Sequence, residues 1–141
     1  METAVDIITI ENLSHRFADG RIGLQAIDLT IAAGSLVVIC GPNGSGKTTL
    51  LRHLNGLLQP TTGRVTVDGV AVAADLRRAR QRVGMVFQDA DSQIVGETVY
   101  DDVAFGPQNL KLTRPEIHRR VRLALADVGL EGFADQSPHH L

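Results

Sequence analysis

The chain has 141 residues, 43% hydrophobic and 21% charged, a composition that excludes a disordered or fibrous chain and suits one globular domain burying about two thirds of its unfolded surface. Its net charge of −2 provides no field that would gather nucleic acid. A single cysteine, Cys40, excludes an internal disulfide.

Residues 1–6, Met-Glu-Thr-Ala-Val-Asp, have neither the basic region nor the long apolar stretch of a secretory signal, so the expected compartment is the cytoplasm. Residues 7–13 and 22–31 are rich in β-branched side chains with partial alternation. Between them Ala18, Asp19, Gly20 and Arg21 form a turn built on Asp-Gly, which predicts a hairpin. Ile27, Leu29 and Ile31 share one face of the second strand and Asp28 and Thr30 the other, so that strand is half-buried. Ala32, Ala33, Gly34 and Ser35 then turn the chain into an apolar run at 36–40, Leu-Val-Val-Ile-Cys. It is expected to be a buried strand with Cys40 in the core. Five apolar residues are far fewer than the roughly 20 that cross a bilayer, so any membrane role comes through a partner.

Gly41-Pro42-Asn43-Gly44-Ser45-Gly46-Lys47-Thr48 follows that run at once. It fits the pattern of a glycine, four residues, and Gly-Lys-Ser/Thr. The order strand, glycine loop, helix is what phosphate binding requires. Glycines let several backbone N–H groups converge in one concavity, and the next helix directs its partly positive N-terminus at the same spot. Lys47 would reach the β- and γ-phosphates, and the Thr48 hydroxyl would ligate the bridging Mg²⁺. With Gly at about 7% of residues, the four fixed positions coincide by chance in roughly one chain in 200 of this length. The plainer alternative, a glycine-rich turn with an incidental lysine, does not require Gly-Lys-Thr. Nucleoside triphosphate binding is therefore the anchor of the reading.

Downstream, Leu50, Leu54, Leu57 and Leu58 recur at helical spacing before Pro60, predicting a helix with a leucine core face. His53 on that helix reads as a satisfied or solvated histidine, since no metal-type residue stands at i+4. Residues 61–69 predict a short strand with Val65 and Val67 inward, closing on Asp68-Gly69 and extending an antiparallel layer. Asp75 is a candidate helix cap. The arginines that follow, Arg77, Arg78, Arg80 and Arg82, read as a solvated helix face, because no aromatics are interleaved as in a nucleic-acid site.

Residues 83–87, Val-Gly-Met-Val-Phe, predict a compact apolar strand. It ends at Gln88 ahead of the polar stretch Asp89-Ala90-Asp91-Ser92-Gln93; a glutamine there is placed to reach a metal ion or water beside a ligand. Thr113-Arg114-Pro115-Glu116 reads as a capping box with proline in the first turn. Ile117, Val121, Leu125 and Val128 give the following helix an apolar stripe, Arg119, Arg120 and Arg122 face water, and Gly129 is its stop. Residues 131–141 read as loop.

With these motifs in order, essentially the whole chain resembles the ATP-binding cassette ATPases that power ABC transporters. Leu13-Ser14-His15-Arg16-Phe17 is similar to the family's aromatic loop, and Phe17 falls where an aromatic ring stacks on adenine. Residues 41–48 resemble the Walker A loop and, with the adjacent Thr49, are the implied nucleotide-contacting set. Gln88 falls at the Q-loop glutamine, implied to contact Mg²⁺ and the attacking water and to sense the membrane subunit. Residues 91–95 and 99–110 resemble stretches of energy-coupling-factor importers, which take up cobalt, nickel or vitamins; a packed turn is the plainer reading of Phe105-Gly106-Pro107.

The implied fold is α/β: a P-loop NTPase core with an N-terminal antiparallel β-subdomain (1–88) and the start of an α-helical subdomain (89–141). In the family, the Leu-Ser-Gly-Gly-Gln signature, the Walker B aspartate, the catalytic glutamate and the switch histidine come after a segment like His139-His140-Leu141. The resemblance thus implies that residues 1–141 hold the binding groups for ATP and Mg²⁺ but not the base, so this stretch alone is expected to hydrolyse poorly. It implies two partners, a transmembrane transporter subunit and a second ATPase subunit, identical or not, at the cytoplasmic face of the membrane, with no nucleic-acid partner. The alternatives are a small nucleotide kinase sharing only the phosphate loop, against which the preceding strands argue, and a nucleotide-binding protein with no membrane partner.

Overall fold

A computed structural model describes residues 5–89 and 91–141. The chain forms two compact units that divide between Met85 and Val86. In the first, strands β1 (Asp6–Arg16) and β2 (Ile22–Ala32) form the expected hairpin, and β3 (Thr62–Val67) and β4 (Val70–Ala71) continue it into an antiparallel sheet of order β2-β1-β3-β4. Ile10 pairs with Leu29 on one side and Val65 on the other, which sets the inward register. The hairpin bulges where Asn12 and Ala26 adopt φ of 46° and 49°. The two amides are satisfied there by side chains: Asn12 N–H donates to Asp28 Oδ1 at 2.7 Å and Ala26 N–H to Ser14 Oγ at 2.9 Å.

Helix α1 (Lys47–Leu54) and helix α2 (Leu76–Arg82) complete this unit. Leu50 and Leu54 of α1, Val72 and Ala79 join Ile10, Leu13, Leu24, Val65 and Val67 of the sheet in one apolar core. Asp75 caps α2, accepting from Arg78 N–H at 2.9 Å. Arg77, Arg80 and Arg82 are exposed, as a solvated face requires, while Arg78 and Arg82 both reach Asp68 Oδ2 at 3.3 Å.

Four expectations are corrected. Residues 36–40 form no strand, because among the described residues no segment is hydrogen-bonded beside them and a strand exists only through its neighbours. Leu36 is accordingly 93% exposed. Cys40 is exposed rather than core. Leu57 is exposed as well, since α1 ends at Leu54 and Gly56, at φ 72°, turns the chain away before the leucine spacing reaches it. The predicted strand at 83–87 is likewise unpaired.

In the second unit, α3 (Val99–Asn109) and α4 (Arg114–Asp127) enclose a core of Val99, Ala104, Val121 and Leu125. Thr98 caps α3, accepting from Asp101 N–H at 3.1 Å and donating to its Oδ2 at 2.7 Å. Phe105, Gly106 and Pro107 belong to α3 rather than to a turn. Pro107 lies inside that helix, two residues before its end, where it removes the amide that would bond the Val103 carbonyl one turn back.

Thr113 is the N-cap of α4 but makes no side-chain cap bond. Glu116, expected to reach back to it, is gripped instead by Arg119 through Nε and Nη2 at 2.8 Å and by Arg120 Nε at 2.7 Å. Charge-assisted forks outcompete a neutral cap bond, and those hydrogen bonds hold the Glu116 carboxyl down at about 2. Val128 is exposed, outside the expected stripe. Gly129, at φ 71°, donates to Ala126 O at 3.1 Å and Leu130 to Leu125 O at 2.8 Å. This termination folds Leu130 back onto the core in place of Val128. The last segment, expected to be loop, forms two short 3₁₀ turns at Glu131–Phe133 and Pro138–His140. Its Gln136 and Ala134 carbonyls accept the first two α3 amides, Val99 and Tyr100, at 2.9 and 2.8 Å.

Candidate nucleotide site

The glycine loop opens directly into α1. Gly41, Gly44 and Gly46 have φ of 154°, 83° and 91°, a region an L side chain rarely enters. Two of the three are also enclosed. A Cβ on Gly41 would lie 2.8 Å from Ser45 Oγ, and one on Gly46 would lie 2.7 Å from Gly23 O. Gly46 is the N-cap of α1; it offers no side chain, and the first turn contains no acidic residue, so that turn's N–H groups are left for an anion.

Lys47 folds over the loop that precedes it. Its Nζ donates to Gly41 O and Pro42 O, both at 2.8 Å, with Ser45 Oγ at 3.5 Å. The ammonium is thus kept at the loop by neutral carbonyls, partners that an anionic phosphate would displace. Thr48 is exposed in the first helical turn, and Thr49 is half-buried. The donor set therefore fits phosphate and Mg²⁺: the uncapped first-turn N–H groups of α1 and an ammonium for phosphate, and a hard hydroxyl oxygen at Thr48 for Mg²⁺.

Phe17, at the end of β1, lies beside this loop. A Cβ on Gly23 would come within 2.7 Å of Phe17 Cε2 and 3.3 Å of Thr49 Cγ2, so one glycine of β2 separates the ring from the start of α1. The Arg21 guanidinium lies 5.4 Å from the ring centroid and is held by Asp19 at 2.6 Å. The structure thus brings Phe17, across Gly23, close to Gly46 and Thr49 where the loop enters α1. Gln88 belongs to the other unit, where it is exposed; after it the Asp89 backbone carbonyl accepts from Gln93 Nε2 at 2.9 Å.

Sequence reasoning missed a second feature of this unit. His53 is only 1% exposed and is fully bonded, with Nδ1 2.7 Å from Thr49 O and Nε2 3.2 Å from His15 Nδ1. His15 Nδ1 is in turn 3.1 Å from Gln59 O. Burial, followed by the nearby His15, pushes the His53 imidazole below its ordinary 6.5 against the opposing pull of the Thr49 carbonyl. The signal was spacing: His53 stands three residues after Leu50 and His15 two after Leu13, on the inward faces of a helix and a strand.

A glycine loop opening a helix beside an antiparallel sheet is the form of a phosphate-loop domain. Comparison with known proteins narrows that class: the family model described as ABC transporter matches residues 24–141, and the chain belongs to that family. It is 49% identical over 142 residues to the energy-coupling factor transporter ATP-binding protein EcfA2 of Symbiobacterium thermophilum, covering 95% of this chain and 49% of that protein. It is 45% identical over 138 residues to EcfA of Methanocaldococcus jannaschii, covering 96% and 50%. Among solved structures, CbiO1 of Clostridium perfringens, described as part of the ABC transporter complex CbiONQ, superimposes with a TM-score of 0.85 at 37% identity. That match covers 96% of this chain and 55% of CbiO1. The chain therefore spans about half the length of the curated relatives it matches. No helix among the described residues is long and apolar enough to cross a membrane.

Proposed function

We propose that this chain is the nucleotide-binding part of the ATPase subunit of an energy-coupling-factor importer, using ATP with Mg²⁺ to drive uptake of a metal ion such as cobalt or nickel, or of a vitamin. The observation that carries the reading is the clustering of a glycine loop, Lys47 and Phe17 at the start of α1. The names of the relatives support the importer class.

The roles divide by chemistry. The Gly41, Gly44, Ser45 and Gly46 backbone, with Pro42 and Asn43 completing the loop, holds the phosphates. Lys47 neutralises the β- and γ-phosphates, and Thr49 supports the base side. Phe17 stacks on adenine. Thr48 would be an oxygen donor for Mg²⁺, which when bound supplies charge neutralisation at the phosphates, and the family resemblance assigns Gln88 the same role. Gln88 also orients the attacking water. Residues 1–141 contain no assigned general base, so hydrolysis depends on groups supplied beyond them and on a second ATPase subunit, and coupling depends on a transmembrane subunit. The site of action is the cytoplasmic face of the membrane.

Replacing Lys47 with Ala is expected to abolish ATP binding, measured by titration calorimetry on the purified chain. Unchanged affinity would refute the phosphate-loop assignment. Transfer of the γ-phosphate to a small acceptor molecule would instead support a kinase.

A further inference from the structure

The buried histidine pair touches both halves of the nucleotide site. His53 lies on α1, the helix that starts at the phosphate loop. His15 lies two residues before Phe17 on β1, with its ring centroid 4.8 Å from that of His53 and 4.7 Å from that of Phe17, the latter pair crossing edge to face at 82°. We infer that His15 and His53, as a neutral hydrogen-bonded pair, fix the orientation of the Phe17 ring relative to the phosphate loop, so that proton uptake by the pair weakens the base contact and leaves the phosphate contact in place. The inference rests on Phe17 being the adenine platform.

The hydrogen-bond pattern determines the protonation it needs. His53 Nδ1 faces the Thr49 carbonyl and must carry its hydrogen, which leaves Nε2 as an acceptor. The donor available to it is His15 Nδ1–H, shared with the Gln59 carbonyl. Every group is satisfied while both rings are neutral. A proton added to His53 Nε2 would face His15 Nδ1–H, two donors with no acceptor between them. Either the rings part, or His15 surrenders its hydrogen and leaves the Gln59 carbonyl facing a lone pair. In both cases the His15 ring turns, and the Phe17 ring loses its T-shaped contact with it.

The surroundings offer an added proton no compensation. β1 brings Arg16, β3 brings Arg64, which is paired with Glu11, and the β1–β2 turn brings Arg21, paired with Asp19. α1 adds Arg52 on its exposed side; β2 and the segment at 59–62 present Leu24, Gln25, the Gln59 carbonyl, Thr61 and Thr62. No carboxylate bonds either ring among the described residues. Burial already holds His53 below its ordinary value, which places the transition on the acid side of neutrality.

The test compares Mg²⁺-ATP with Mg²⁺-inorganic triphosphate on the purified chain from about pH 7.5 to about pH 5. Titration of the phosphates themselves is common to both ligands, so the ratio of their affinities isolates the base contact. We expect ATP to bind more tightly at neutral pH and its advantage to fall roughly five- to tenfold on acidification. His53→Gln keeps a neutral acceptor and should flatten the pH profile; His15→Ala should lower the ratio at every pH. A ratio that stays constant in the unmutated chain, a parallel loss of both ligands, or an acid loss that survives in His53→Gln would each overturn the inference. Equal binding of the two ligands at neutral pH would overturn the platform role of Phe17 itself.

Discussion

Gly23→Ala isolates the base contact from the rest of the site. Gly23 is not in the left-handed region, so alanine carries no backbone strain there and the perturbation is the methyl group alone. That methyl would lie 2.7 Å from Phe17 Cε2, 3.2 Å from Phe17 Cζ and 3.3 Å from Thr49 Cγ2, against the roughly 3.5–4 Å at which carbons rest in contact. The ring must therefore retreat by about 1 Å. Because Phe17 is half-buried and can move, the cost to stability falls at the low end of overpacking, about 1 kcal/mol. The stacked base meets a displaced ring. Stacking contributes about 1–3 kcal/mol, so a loss of roughly half of it lowers ATP affinity about fivefold. Calorimetry with ATP and with inorganic triphosphate, beside a thermal melt, reads all three quantities. An ATP affinity unchanged within about twofold, or a triphosphate affinity that falls equally, would show that Phe17 and Gly23 do not form the base side of the site.

Two further predictions concern the scaffold. Gly129→Ala places a Cβ at φ 71° in the termination of α4 and should cost about 1–2 kcal/mol, seen as a lower denaturation midpoint with unchanged slope; an unaltered midpoint would refute the role of that termination. Acid should destabilise the chain in two windows. His53 is lowered from 6.5, so its contribution is whole above 6.5 and is lost as pH falls from there toward the folded value, at no more than about 1.4 kcal/mol per pH unit. Glu116 is lowered from 4.5 to about 2, so its contribution persists above 4.5 and disappears between 4.5 and 2. Being exposed, it should also weaken with salt. Thermal midpoints measured across pH, with His53→Gln removing the upper window alone, check both signs.

The local elements were legible in the sequence because their signals are local. Asp-Gly turns joined by alternating β-branched residues specify antiparallel pairing between neighbours in the chain, and β1, β2 and β3 formed where those signals lie. The glycine loop was legible for the same reason: its function needs particular φ values at Gly41, Gly44 and Gly46, and few other residues supply them. The helix over Arg114–Asp127 was marked by its apolar spacing and terminal glycine.

What only the tertiary structure decided were the outcomes of competition between distant groups. Residues 36–40 and 83–87 have strand composition, but an isolated run cannot satisfy its own backbone, and among the described residues no neighbour pairs with either. Within α4 the competition is local instead: Thr113 and Glu116 have the pattern of a capping box, yet Arg119 and Arg120, three and four residues along, hold the carboxylate. By local pattern His53 reads as a satisfied or solvated histidine, and the structure makes it a satisfied one. Its burial and its bond to His15, 38 residues away, exist because α1 shares one core with the sheet to which β1 belongs. Hydrogen bonds and ion pairs are settled by which partner stands nearest in space, and separation along the chain does not record that distance.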